Sequence, residues 1–225
     1  MRHNELSISF HSTDNQLETQ DIIKMLRLFT SESAQVIINN LIHHTTMKTI
    51  LVPTKEKLNP ASQSILEVVQ SKMGKIPNLY ATIGYSSSAL KAMLDTEAAL
   101  SIDSSFSAKE REAISLIVSQ VNDCDYCLAA HTVLGKMRGY TEEDTVLIRN
   151  AQFTDEKMNT VLLLAQSIAN NKGNAEQAAL DHFFDAGYDE KALVELIALI
   201  SLRSFANYVF ANTKIPVDFP KAPAL

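Results

Sequence analysis

The sequence predicts an all-α fold, a compact bundle of about eight helices. Three observations carry that expectation. Apolar residues recur at i, i+3, i+4 and i+7 through most of the chain. Runs of β-branched residues with period-two alternation are scarce. Only six glycines and six prolines interrupt 225 residues, which leaves room for long helices and short joints.

The elements follow in order. Residues 1–16 are polar. Residues 17–42 can form an amphipathic helix through Ile22, Ile23, Met25, Leu26, Val36, Ile37 and Ile38. A loosely attached extension is therefore expected over residues 1–46, mobile or a single amphipathic helix. The domain proper is expected over 47–225, starting at Met47-Lys-Thr-Ile-Leu-Val-Pro53. Asn59-Pro60 is an N-cap followed by proline at N1, and Gly74 ends that helix. A short apolar turn follows Pro77. Ser86 to Ser88 can cap a helix running to about Leu100. Ser107 with Glu110 has the form of a capping box before Ala113, Ile114, Leu116, Ile117 and Val121. Asn122 or Asp123 is the expected cap of the next helix. Thr141 with Asp144, and Thr154 with Glu156, open two more, and Gly173 closes the second. The last two helices are expected near 175–186 and 189–212, ahead of a proline-rich extended tail. The 189–212 helix is apolar over much of its circumference, which implies burial in the core or against another subunit.

Charge narrows the function. The formal net charge is −6 and the pI about 5.5. An acidic chain is a poor electrostatic partner for nucleic acid or for an anionic membrane. No run of about 18 apolar residues predicts a membrane span, and the N-terminus lacks the apolar core of a secretory signal. A cytoplasmic location is expected, where a permanent structural disulfide would be unusual.

Against that background the two cysteines stand out. Both fall in Cys124-Asp-Tyr-Cys127, and His131 follows four residues later. On one helix these three positions share a stripe roughly 60° wide. An i, i+3 pair also brings the Cα atoms to about 5 Å, within disulfide range. Cys124 in the first turn would meet free N–H groups and the helix dipole, which favour a thiolate. His131, one turn beyond Cys127, can accept a thiol proton. Haem attachment requires histidine directly after the second cysteine, where Leu128 stands. A thioredoxin-like site requires a preceding strand. Zinc would find three ligands here and would still need a fourth or a water. Two small core residues beside a core histidine are the bland alternative.

A catalytic histidine usually has an orienting acid. Glu110 is committed to the capping box, whereas Glu112 borders the apolar run and is free. A straight helix would hold Glu112 about 18 Å from Cys124. A bend at Asn122-Asp123 would fold the two helices side by side. By spacing alone, Glu112 also suits an ordinary solvated face.

The string Glu112, eleven residues, Cys124-x-x-Cys127-x-x-x-His131 resembles the alkylhydroperoxidase D-like branch of the carboxymuconolactone decarboxylase superfamily. The segment from Ser119 to Thr132 is similar to that branch as well, and the resemblance spans roughly 55–215. It implies an all-α fold assembled as trimers or hexamers. It implies a thiol-dependent peroxidase in which Cys127 attacks the hydroperoxide and Cys124 resolves the sulfenic acid into a disulfide. His131 and Glu112 would form the proton relay, and a thiol or dithiol protein would act as reductant. No cofactor and no metal are implied. The best-known members carry histidine where this chain has Tyr126, so the relay here has fewer titratable groups. By helical angle Tyr126 points away from the Cys/His stripe. Ser119, Tyr80, Tyr85 and Met93 are further pocket candidates for which core packing is the favoured reading, and His182 reads as structural. The competing functions are a decarboxylase-like or other lactone or small-molecule enzyme on the same fold, a general dithiol oxidoreductase, and a non-enzymatic scaffold that keeps the site as a relic.

Overall fold

The computed structural model describes residues 49–225, so the expectations for the extension and its amphipathic helix lie outside the described residues. The described chain is all-α. A 3-10 turn at Lys55–Lys57 leads into α1 (Pro60–Met73), α2 (Asn78–Ile83), α3 (Ser87–Ala99), α4 (Ala108–Val121), α5 (Asp125–Met137), α6 (Glu142–Arg149), α7 (Glu156–Asn170), α8 (Gln177–Asp185) and α9 (Glu190–Thr213). The apolar turn expected after Pro77 is α2, which brings the helices to nine among the described residues.

Local chemistry explains most of the boundaries. Asn59 Oδ1 accepts from Ser62 N at 2.9 Å, with Pro60 at N1. Gly74 ends α1 at φ 75°, a left-handed conformation that costs glycine little. Ser107 and Glu110 form the capping box of α4, with bonds of 3.2 and 2.7 Å. Thr141 and Asp144 repeat the device on α6. The cap of α7 is Asp155, one residue after the expected Thr154, and it accepts from Met158 N at 3.0 Å.

The core is organised around α4. Ala113, Ile114, Leu116, Ile117 and Val118 have no exposed surface, and α4 packs against α5, α6, α7 and α9. One apolar cluster joins α4 to α7, α8 and the first half of α9. A second joins α1, α2 and α3 to the start of α5 and the second half of α9. That second cluster contains Cys124, Tyr126 and Cys127. Burying each large apolar side chain contributes about 1.5–3 kcal/mol, so the thiols sit in one of the two regions that hold the fold together.

By length and composition α9 could cross a membrane. Here its inner face (Leu196, Leu199, Ile200, Leu202, Phe210) fills both clusters. Its outer face exposes Val194, Ile197, Phe205 and Tyr208. After Lys214 the tail runs extended across α2 and α5. Asn78 Nδ2 donates to Pro216 O at 3.0 Å, Lys75 Nζ donates to Asp218 Oδ2 at 3.0 Å, and Arg149 Nη1 donates to Pro223 O at 2.6 Å.

Candidate active site

The joint between α4 and α5 builds the site. Asn122 closes α4 in a near-bridge conformation, and Asp123 takes φ 48°. Aspartate is one of the few side chains that tolerates this left-handed region. The turn folds α5 back along α4. It also corrects the expected cap. Neither Asn122 nor Asp123 caps α5; Cys124 does. Its Sγ accepts from Cys127 N at 3.3 Å, and its own N–H donates to Ser119 O at 2.9 Å. The first cysteine therefore stands just before the helix, at the end where free N–H groups gather.

That geometry separates the two thiols electrostatically. Both are reduced and buried. Cys127 donates its S–H toward Cys124, and its backbone N–H points there too. These bonds hold the Cys124 thiol below its ordinary value against the opposing effect of burial. The same S–H bond, with burial added, pushes Cys127 up. Cys124 is thus the first to ionise and Cys127 keeps its proton at rest. The Asn207 side chain, buried in α9, favours the ionised form of both sulfurs. It is fixed by Asn122 Nδ2 at 2.9 Å and itself donates to Ser119 Oγ at 3.3 Å.

The fold brings Glu112 and His131 together. Glu112 Oε2 lies 2.8 Å from His131 Nδ1, and the two side chains are 16% and 14% exposed. Burial alone would raise the Glu112 carboxyl. The hydrogen bond and charge of His131, helped by Arg203 and Arg138, outweigh it and hold Glu112 below the usual carboxylate range. A bond through Nδ1 leaves Nε2 as the ring atom free to exchange a proton.

Cys127 and His131 line one cavity of about 60 Å³, with Tyr80, Met93, Glu97, Arg203 and Phe219 among its walls. Cys124 is not among the lining residues. At about 10–15 Å³ for each water-sized occupant, the cavity suits a small molecule. Its other walls are mainly apolar: Leu79, Leu94, Leu134, Leu202 and Ala206. Tyr126 turns away from the Glu112–His131 pair, yet it reaches the same cavity. Its hydroxyl donates to Asp218 Oδ1 at 2.5 Å and accepts from Leu79 N at 3.2 Å. Of the other pocket candidates, Tyr80 and Met93 are cavity walls. Ser119 is a buried hydrogen-bonding partner behind the thiols, and Tyr85 is exposed with its hydroxyl on Leu51 O. Among the described residues, no three His, Cys, Asp or Glu side chains converge as metal ligands.

Sequence reasoning missed Arg203, Asn207, Glu97 and the tail residues Asp218 and Phe219. A signal for two of them was present: Arg203 and Asn207 are polar residues within the long apolar helix α9.

Residues 88–185 match the model of the carboxymuconolactone decarboxylase family. Over that segment the chain is similar to that family. The match runs from α3 to α8 and takes in Glu112, both cysteines and His131. Arg203, Asn207 and Asp218 lie beyond it. Among solved structures, a peroxidase-related protein from Silicibacter sp. TM1040 is 20% identical, with a TM-score of 0.65 over 78% of this chain and 95% of that one. The alkylhydroperoxidase AhpD core of a peroxidase-related protein from Ralstonia eutropha JMP134 is 19% identical, with a TM-score of 0.64 over 71% and 86%. The debrominase Bmp8, in complex with 2,3,4-tribromopyrrole, is 18% identical, with a TM-score of 0.65 over 76% and 93%. At these identities the likeness is one of fold. No curated protein matches the sequence. The helical fold thus holds a reduced dithiol, a buried Glu–His pair and a small cavity in one place.

Proposed function

We propose that the protein is a dithiol peroxidase that reduces small hydroperoxides. The observation that carries this reading is that Cys127 and His131 share the cavity while Cys124 waits behind Cys127. Glu112 orients His131 through the 2.8 Å contact with Nδ1. His131 then takes the Cys127 proton. The Cys127 thiolate attacks one peroxide oxygen and the O–O bond breaks. The sulfur becomes a sulfenic acid, and the departing alkoxide takes the proton from His131 as alcohol. The Cys124 thiol then attacks the sulfenic sulfur, and its proton leaves with the displaced hydroxyl as water. The balance is one hydroperoxide and two thiols to one alcohol, one water and one disulfide. A thiol or dithiol protein reopens the disulfide by exchange. The role of Tyr126 in this reading is structural. The exposed outer face of α9 is where copies of the chain would assemble.

The test is a thiol titration with and without hydroperoxide. Wild type should lose both thiols per peroxide consumed. Cys127→Ser should lose neither, and Glu112→Gln and His131→Ala should slow the loss by about 10²–10⁴-fold. If both thiols survive excess hydroperoxide at neutral pH, the reading fails. The fold likeness to a debrominase adds one arm. The same two electrons could replace a carbon–bromine bond by carbon–hydrogen, releasing bromide and a proton as the disulfide forms. Thiol loss with a brominated pyrrole but not with hydroperoxide would move the assignment there.

A further inference from the structure

Cys127 is 3% exposed, and an anion in such a place is costly unless an opposite charge stands close. Transfer of its proton to His131 does not supply that charge alone, because the imidazolium is already matched by Glu112. The groups around the cavity can be taken by element. Helix α5 brings Asp125, Tyr126 and His131, with Cys124 before it and Arg138 after it. Helix α4 brings Glu112, α2 brings Tyr80, α3 brings Glu97, and the tail brings Asp218, which is engaged by Lys75 and Tyr126. Helix α9 brings Arg203. Apart from His131, Arg203 is the cationic side chain lining the cavity among the described residues.

The setting of Arg203 is unusual for a surface ion pair. Its Nη2 lies 2.6 Å from Glu97 Oε2, with side chains 12% and 39% exposed respectively. Its Nε is buried and finds no acceptor among the described residues. A donor left unpaired at such depth costs stability, so retention of the group there calls for another reason. Arg203 is the deeper partner. Glu97 is more hydrated, and solvent weakens its charge more than that of the guanidinium. The positive charge of Arg203 favours the ionised forms of Cys127, Glu112 and Tyr80 alike.

We propose that Arg203 is a positioning residue of this site: its guanidinium, aimed by Glu97, is the counter-charge that holds the Cys127 thiolate in the cavity. The proposal rests on the dithiol reading above, in which that thiolate is the attacking group.

The test is the pH dependence of Cys127 alkylation by iodoacetamide, in full-length protein carrying Cys124→Ser so that one sulfur titrates. Serine keeps the cap that Cys124 provides. Arg203→Gln should move the midpoint up by about one pH unit and slow alkylation at pH 7 by about tenfold. Arg203→Lys, which keeps the charge, should stay close to the parent. Glu97→Gln should move the midpoint down. An unchanged or lower midpoint in Arg203→Gln overturns the proposal. If circular dichroism shows that Arg203→Gln does not fold, the double variant Arg203→Gln/Glu97→Gln, which removes the ion pair whole, decides: a higher midpoint supports the proposal, and an unchanged or lower one overturns it. Hydroperoxide consumption by the wild type is read separately. Its absence sinks the peroxidase reading while the alkylation midpoints still report on Arg203.

Discussion

At Glu112, burial and charge act in opposite directions. Desolvation disfavours the carboxylate, and the 2.8 Å contact with His131 favours it. The net effect holds the folded group below its unfolded value. A carboxylate of this kind adds stability above its unfolded titration range, and that stability is lost as pH falls through the folded one. Wild type should therefore exceed Glu112→Gln in urea-unfolding stability at neutral pH, and the gap should close as pH falls below about 4. A gap that widens on acidification would contradict the placement of the charge. In the sequence the acid was legible only through its spacing to the cysteines, since nothing local distinguishes Glu112 from a solvated face residue. Arg203 and Asn207 were harder still. Their partners Glu97 and Ser119 lie more than 80 positions away, and no helical period connects them.

Helix ends were the most legible feature, because a cap is a local hydrogen bond between residues three apart. Asn59, Ser107 and Thr141 declare themselves by type and spacing. The start of α5 did not, because a cysteine there takes the place of the usual oxygen cap. The spacing showed that Cys124 and Cys127 could face one another. It did not show that Cys124 Sγ would accept the Cys127 N–H. The joint itself depends on Asp123 at φ 48°. Asp123→Gly should leave stability nearly unchanged, whereas Asp123→Val should cost about 1–3 kcal/mol, measured by urea unfolding. Equal stability of the two variants would mean that the joint can relax without strain. The other end of the site is tied by the Tyr126 hydroxyl, which links α5 to the start of α2 and to the tail. Tyr126→Phe strands the Leu79 N–H and should cost about 1–3 kcal/mol. Hydrogen exchange should also speed up over residues 216–225. Unchanged exchange there would show that Lys75 and Asn78 hold the tail without Tyr126.

On the scale of the molecule, α9 is asked to satisfy two environments at once. Its inner face closes both apolar clusters, Arg203 on it lines the thiol cavity, and Asn207 on it bonds Asn122 and Ser119 behind the thiols. Its outer face leaves Val194, Ile197, Phe205 and Tyr208 in water, at 65, 44, 36 and 57% exposure. The sequence could show that the helix is apolar nearly all round. It could not show which face the fold uses, since a uniform pattern has no direction. An apolar stripe along a whole helix is more than the scattered single residues a monomer ordinarily exposes. In the proposed assembly a second copy covers it, so a charge placed in its middle would be desolvated without a partner and would disfavour association. Ile197→Glu should therefore shift the protein to a smaller species in light scattering at micromolar concentration, with helix content unchanged by circular dichroism. Because Ile197 does not line the thiol cavity, thiol loss per molecule should persist in the dissociated variant. A wild type that is already monomeric, or an Ile197→Glu variant of undiminished size, would remove α9 as the contact between copies.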